Sequence, residues 1–152
     1  MNEIERKFLA DKTKMPMPTS SVEIRQGYIA LDENGSEVRI REKGEMFYIT
    51  VKSGGDIERM ESEIQITEDE FEKFWPFTAG RRVEKVRYKI PLSGGLVCEL
   101  DVFSGDLKGL VLAEVEFPSL SSADSFDVPA WFGTEVTKDS RYKNKNLAVK
   151  GL

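Results

Sequence analysis

A chain of 152 residues is long enough to bury a core and short for two ordinary domains, and 22 Lys+Arg against 27 Asp+Glu leave a formal charge of -5 that argues against general affinity for nucleic acid or an anionic membrane. Histidine is absent, which removes Ser-His and Cys-His nucleophilic pairs, imidazole zinc sites and histidine acid-base chemistry together. The one cysteine, Cys98, permits no internal disulfide, and its setting in LVCELDV suggests an inert packed thiol.

Charges stand at the N-terminus where a signal peptide needs an apolar core, and no apolar run approaches the length of a membrane span, so a soluble cytoplasmic protein is expected. Period-two alternation predicts strands over 2–9, 22–31, 37–43, 46–53, 59–66, 83–91, 96–103 and 111–117, with KMPMPTSS a loop after the first. Asn34-Gly35, Lys43-Gly44 and Ser93-Gly94-Gly95 are hairpin signals between them. Thr67 and Glu70 form a capping box ahead of Phe71, Phe74 and Trp75, and Pro76 closes that helix. Ser121 or Ser122 is placed to cap a short turn through Phe126, and 134–149 reads as a polar C-terminal helix. With no linker, repeat or low-complexity tract, residues 1–152 read as a single domain, α+β but predominantly β, on a mostly antiparallel sheet.

Side-chain parity sorts the charges. Glu3, Glu5 and Lys7 share one face of the first strand, against Ile4, Arg6 and Phe8. Arg39 and Arg41 oppose Val38 and Ile40; Lys52, with Tyr48 and Thr50, opposes Phe47, Ile49 and Val51; Arg59, Glu61 and Glu63 oppose Met60, Ile64 and Ile66. Lys85, Arg87 and Lys89 oppose Val86, Tyr88 and Ile90, Glu99 and Asp101 oppose Cys98, Leu100 and Val102, and Glu114 and Glu116 oppose Ala113, Val115 and Phe117. One reading is a sheet with one face on a core and the other in water. The density of charge exceeds what solvation needs, since Thr, Ser and Gln would serve equally. The other reading is an eight-stranded barrel or deeply cupped sheet, its charged face lining a small interior and its apolar face under the helices. Charges inside need partners or a bound ion.

Glu3 and Glu5 lie about 7 Å apart along a strand, from which long side chains can converge on one cation. Glu114 and Glu116 repeat the spacing, and with Asp101 they offer oxygen-only ligation, the preference of Mg²⁺ or Mn²⁺. Arg39 and Arg41 can each present a fork to phosphate oxygens, while Lys7, Lys52, Lys85 and Arg87 add positive charge. Such parts suit phosphoryl transfer, where positioning and charge stabilisation do most of the catalysis. With no histidine, a lysine whose charged form is disfavoured by neighbouring cations can serve as the base that activates water. Lys52 and Lys85 are the candidates, and spacing alone leaves equal room for both merely to bind phosphate.

EIERKFL resembles the Glu-x-Glu-x-Lys signature of the CYTH domain, the triphosphate tunnel metalloenzymes. An ordered set extends the resemblance over essentially the whole chain: VRIR (Arg39, Arg41), TVK (Lys52), RMESEIQI (Glu61, Glu63), GRRVEKVRY (Lys85, Arg87), CELDVFSG (Asp101), AEVEF (Glu114, Glu116) and SRYKNKNLA. It is most similar to short bacterial members that act as inorganic triphosphatases, through RQGYI, WPFTAGRRVEK, WFG and RYKNK. The resemblance implies an antiparallel eight-stranded tunnel, in some members incompletely closed into a cup, with Mg²⁺ or Mn²⁺ on the acids. It also implies Glu3, Glu5, Glu61, Asp101, Glu114 and Glu116 as metal-side acids, Lys7, Arg39, Arg41 and Arg87 as phosphate ligands, and Lys52 with Lys85 as the dyad that activates water. Lys143 is a further phosphate contact by the same route. Glu63, Arg25, Tyr28 and Lys89 are explained by salt bridging or packing as well as by a place on the wall, and Trp75, Trp131 and Phe132 read as anchors of helices and loops.

The expected activity is metal-dependent hydrolysis of inorganic tripolyphosphate, a small polyanion, by lysine-activated water. Thiamine triphosphatase, nucleoside or RNA 5′-triphosphatase and class IV-like adenylate cyclase are the alternatives within the family. A polyphosphate-binding module without turnover is the alternative outside enzymes, and a homodimer covering sheet edges is an expected state of association.

Overall fold

The computed structural model describes residues 4–54 and 59–152. Among the described residues there are nine strands: β1 Ile4–Ala10, β2 Ser20–Leu31, β3 Glu37–Lys43, β4 Met46–Lys52, β5 Glu61–Ile66, β6 Arg82–Pro91, β7 Val97–Phe103, β8 Val111–Phe117 and β9 Phe132–Glu135. Three α-helices accompany them, α1 Glu68–Phe74, α2 Leu120–Asp124 and α3 Asn144–Lys150. Hydrogen-bonded neighbours run β5-β4-β3-β2 and β6-β7-β8-β1-β9. No helix among the described residues is long and apolar enough to cross a membrane.

The ninth strand corrects the expected helix over 134–149. Phe132–Glu135 pairs antiparallel with β1, Ala10 opposite Phe132 and Phe8 opposite Glu135, and the span otherwise holds a 3₁₀ turn over Ser140–Tyr142 and α-helix only over Asn144–Lys150. Pairing with an existing strand and the packing of Phe132 outweigh helix propensity, a weak local preference. The loop expected over KMPMPTSS is shorter at both ends, with a 3₁₀ turn over Lys12–Lys14 and β2 beginning at Ser20.

Two compact units divide the chain. The first comprises Met1–Val22 and Lys85–Tyr142, the second Glu23–Glu84 and Lys143–Leu152. In the first, β1 lies between β8 and β9, and β8 continues to β7 and β6. Phe8, Ile90, Cys98, Leu100, Ala113, Val115 and Phe117 fill its apolar face, under Ala123 of α2 and the rings of Phe126 and Phe132. Trp131 packs edge-on against Phe132, as an anchor should. The cap of α2 is Ser119, whose side chain accepts from the Ser122 backbone, rather than Ser121 or Ser122. Arg6 enters the apolar face as a charge and is fully employed there. Its guanidinium lies 5.2 Å from the Phe8 ring centre and donates to both carboxylate oxygens of Glu135 and to the Ala123 carbonyl.

In the second unit β2, β3, β4 and β5 form an antiparallel ladder. The two-residue connection Gly44-Glu45 between β3 and β4 puts Gly44 at φ +63°, a conformation that costs glycine little. Ile40, Phe47 and Ile66 face Phe71 of α1, whose N-terminus carries the expected Thr67–Glu70 capping box. Trp75 stacks on Phe71 with ring centres 5.2 Å apart. The strand expected over 59–66 starts at Glu61, because Arg59 instead donates to the Ser53 and Gly35 carbonyls.

Gly27 faces Thr78, which is fully buried, and a Cβ there would come within 2.6 Å of the Thr78 Cβ. Gly27→Ala is expected to cost about 1–3 kcal/mol, read as a lowered urea midpoint at unchanged m-value. The Arg6 hydrogen bonds pull the Glu135 carboxyl down to about 2 from an ordinary value of 4.5. Its contribution is therefore complete above the ordinary range and lost as pH falls through about 2. Glu135→Gln should cost about 0.5–1 kcal/mol at neutral pH, and its deficit in urea unfolding should shrink on acidification below about 4.

Candidate active site

Strand register gathers the charged residues of the first unit on the face away from its core. Glu5 stands opposite Glu116 and Lys7 opposite Glu114 across β1 and β8; Glu99 stands opposite Glu114 across β7 and β8; Arg87 stands opposite Asp101 and Lys89 opposite Glu99 across β6 and β7. A cavity of about 430 Å³ is lined by Glu99, Glu114 and Glu116 with the backbone of the Gly94-Gly95 turn. Like charges directly opposite one another destabilise a sheet, so the Glu5/Glu116 and Glu99/Glu114 pairs call for positive charge. Lys7 supplies some, 3.8 Å from Glu114, and Arg87 supplies more through an Nη1 contact of 2.9 Å to Glu99. Lys7 also donates to the Tyr142 carbonyl at 3.2 Å.

The most buried part of this face is a three-residue cluster. Lys85 is 5% exposed and Asp101 8%, with Lys85 Nζ 2.8 Å from Asp101 Oδ2 and 5.3 Å from the Phe103 ring centre. Arg87 donates to the same carboxylate from Nε to Oδ1 at 2.8 Å and from Nη2 to Oδ2 at 3.1 Å. Burial is the largest influence on Lys85 and lowers its pKa, with Arg87 acting in the same direction and Asp101 against. Burial by itself raises the Asp101 carboxyl, but Lys85 and Arg87 outweigh it and hold the group below the usual carboxylate range.

The second unit has its own charged face. Gln26 and Tyr28 on β2, Glu37, Arg39 and Arg41 on β3, Tyr48, Thr50 and Lys52 on β4, and Glu61 and Glu63 on β5 are cross-strand neighbours by register. Arg41 is 3.7 Å from Glu63 and Lys52 is 3.9 Å from Glu61. Glu37, nearly buried, takes an ion pair from Arg59 at 3.5 Å. The buried Nε of Arg39 makes no hydrogen bond, a donor in want of an acceptor. Tyr28 is also buried, and its hydroxyl accepts from Gln26 Nε2 at 2.9 Å. Burial raises its pKa against the pull of Arg39.

The expected residues are thus distributed as follows. Glu5, Lys7, Lys85, Arg87, Asp101, Glu114 and Glu116 share one face of the first unit, and Arg39, Arg41, Lys52 and Glu61 share one face of the second. Glu3 lies outside the described residues, and Lys143 is exposed at the start of α3. Arg25 belongs to the packing of the second unit, ion-paired to Glu42 and Glu72 and lying over the rings of Phe71 and Trp75. Glu99 joins the acidic face although parity alone did not single it out as a ligand; its position opposite Glu114 was hidden until register was known. Cys98 is inert as expected, its thiol pushed up to about 12 by burial.

Among the described residues no three acidic side chains are close enough to hold a metal ion as they stand. The carboxylate oxygens that Glu5, Glu114 and Glu116 offer on this face nonetheless suit a hard divalent cation in kind.

A CYTH domain matches residues 1–148. The chain belongs to the CYTH domain family. This CYTH chain is 50% identical over 149 residues to the inorganic triphosphatase of Nitrosomonas europaea, across 98% of either chain. It is 39% identical over 147 residues to the inorganic triphosphatase of Acetivibrio thermocellus, across 95% of this chain and 92% of that one. A crystal structure of an inorganic triphosphatase matches with TM-score 0.85 and 47% identity, over 98% of this chain and 95% of that one.

The cluster in this CYTH protein makes an unequal prediction for stability without divalent metal. Lys85→Met leaves Asp101 held by two hydrogen bonds from Arg87 and removes a buried ammonium, so it should stay within about 1 kcal/mol of wild type. Asp101→Asn leaves two buried cations facing each other and should cost about 3 kcal/mol in urea unfolding; the opposite order would refute this charge arrangement.

Proposed function

We propose that the protein hydrolyses inorganic tripolyphosphate to pyrophosphate and phosphate. The observation that carries this reading is the full-length 50% identity to an inorganic triphosphatase, and the charged faces supply a physical route. Water attacks the terminal phosphorus, its proton passes to Lys85 Nζ, and the anhydride P–O bond breaks to release pyrophosphate. A neutral amine is required for that transfer, and burial favours it; the ammonium that results is met by the Asp101 carboxylate 2.8 Å away. Lys52, beside Glu61, is the second lysine of this reading. Lys7 and Arg87 in the first unit, and Arg39, Arg41 and Lys143 in the second, are assigned to phosphate oxygens. The unsatisfied Nε of Arg39 supports its assignment.

Mg²⁺ or Mn²⁺ is part of the proposal. Glu5, Glu114 and Glu116 would hold it, with Glu3 and Glu61 assigned by the family resemblance, and bound there it would neutralise charge on the phosphoryl oxygens. We further assign the protein to the cytoplasm, in keeping with its net charge of -5, and to a homodimer that covers sheet edges, for which β5 is suited by the exposure of Glu61–Gln65.

The test is the pH profile of phosphate release from tripolyphosphate at saturating Mg²⁺. For wild type, kcat should rise with pH through the Lys85 pKa, at a pH below the ordinary lysine value of about 10.4. Lys85→Ala should lower kcat by about 10²–10⁴-fold and abolish that rise. A variant that keeps both the wild-type kcat and the rise would contradict Lys85 as the base.

A further inference from the structure

Asp101 is the acid whose surroundings fit a metal least. Each of its oxygens is already bound by a cation: Oδ1 accepts from Arg87 Nε, and Oδ2 accepts from Arg87 Nη2 while lying 2.8 Å from Lys85 Nζ. One negative charge therefore stands between two positive ones in a site 8% exposed, where charges are weakly screened. A divalent ion on Asp101 would sit against an ammonium and a guanidinium. The other acids of this face differ, since Glu5 and Glu116 oppose each other and Glu114 opposes Glu99, so a cation relieves their repulsion.

We infer that Asp101 is a positioning residue that clamps Lys85 and Arg87 in fixed geometry, and that it does not ligate the divalent ion. The inference rests on the hydrolytic reading for its effect on rate, but not for its claim about the metal. Register makes the clamp possible: Arg87 is directly opposite Asp101, Lys85 is two residues away on the same face, and Phe103 lies opposite Lys85 as a floor for the ammonium. The planar guanidinium takes the carboxylate bidentately and fixes its plane, which leaves one lone-pair direction of Oδ2 for Lys85. Removing the carboxylate frees two cations to repel each other and moves the Lys85 amine from its place.

Asp101→Asn separates the roles when Mn²⁺ binding is measured directly by electron paramagnetic resonance, without substrate, alongside Mn²⁺-activated tripolyphosphate turnover. The expected result is Mn²⁺ affinity within about twofold of wild type and kcat lowered by roughly 100-fold, the size of loss that small misplacement of a reacting group produces. Glu114→Gln is the control for a ligand and should weaken Mn²⁺ binding by about tenfold or more. A similar weakening in Asp101→Asn would overturn the inference, as would an unchanged kcat. If that variant does not fold, Asp101→Glu replaces it: the same Mn²⁺ affinity with kcat lowered by about tenfold or more supports a clamp, and wild-type kcat refutes it. Failure of wild-type protein to turn over tripolyphosphate would defeat the hydrolytic reading alone, because Mn²⁺ binding still decides whether Asp101 is a ligand.

Discussion

Burying an ammonium or a guanidinium costs several kcal/mol unless an anion meets it inside, and Lys85 and Arg87 meet that requirement on one carboxylate, Asp101. The rest of the first unit is arranged so that this shared pairing can exist. Antiparallel register brings Arg87 opposite Asp101, and parity keeps Lys85 on the same face. The apolar side of the same strands supplies Ile90, Cys98 and Leu100 to a core closed by Ala123, Phe126 and Phe132. The charged face is held in place by the hydrophobic one, which contributes most of the folding energy and so can carry groups that are costly to bury.

The second unit repeats the plan with different members. Arg39 and Arg41 project from β3 opposite Ile40, whose side belongs to the core under Phe71 of α1. Arg41 lies 3.7 Å from Glu63, and the buried Nε of Arg39 has no hydrogen bond. Under the proposed function, that Nε would be open to a phosphate oxygen. Guanidinium donors kept short of acceptors lose little when phosphate oxygens arrive, whereas fully paired donors must first break existing bonds.

Side-chain parity was the legible part of the sequence. The separation of Lys85, Arg87, Glu99, Asp101, Glu114 and Glu116 from the apolar residues between them follows from a period of two and needs no knowledge of which strands are neighbours. Which charges meet across strands does need it, and so the pairing of Lys85 with Asp101 and the place of Glu99 opposite Glu114 could not be read from spacing. The C-terminal segment departs from its helical pattern for a related reason. Residues 132–135 form a strand because the open edge of β1 is available to them, a tertiary circumstance that local composition does not encode. The Thr67 cap was legible because its partner Glu70 is three residues away; at α2 the adjacent serines Ser119, Ser121 and Ser122 all carry a capping hydroxyl, and only the backbone path distinguishes them.

The activity proposed for these charged faces is hydrolysis of an inorganic triphosphate. Its most direct test is phosphate release from tripolyphosphate, pyrophosphate, ATP and thiamine triphosphate, each with Mg²⁺, Mn²⁺ or EDTA. Turnover is expected to be strongest on tripolyphosphate and abolished by EDTA. Strong turnover of ATP or thiamine triphosphate with none of tripolyphosphate, or tight tripolyphosphate binding without any release, would contradict it.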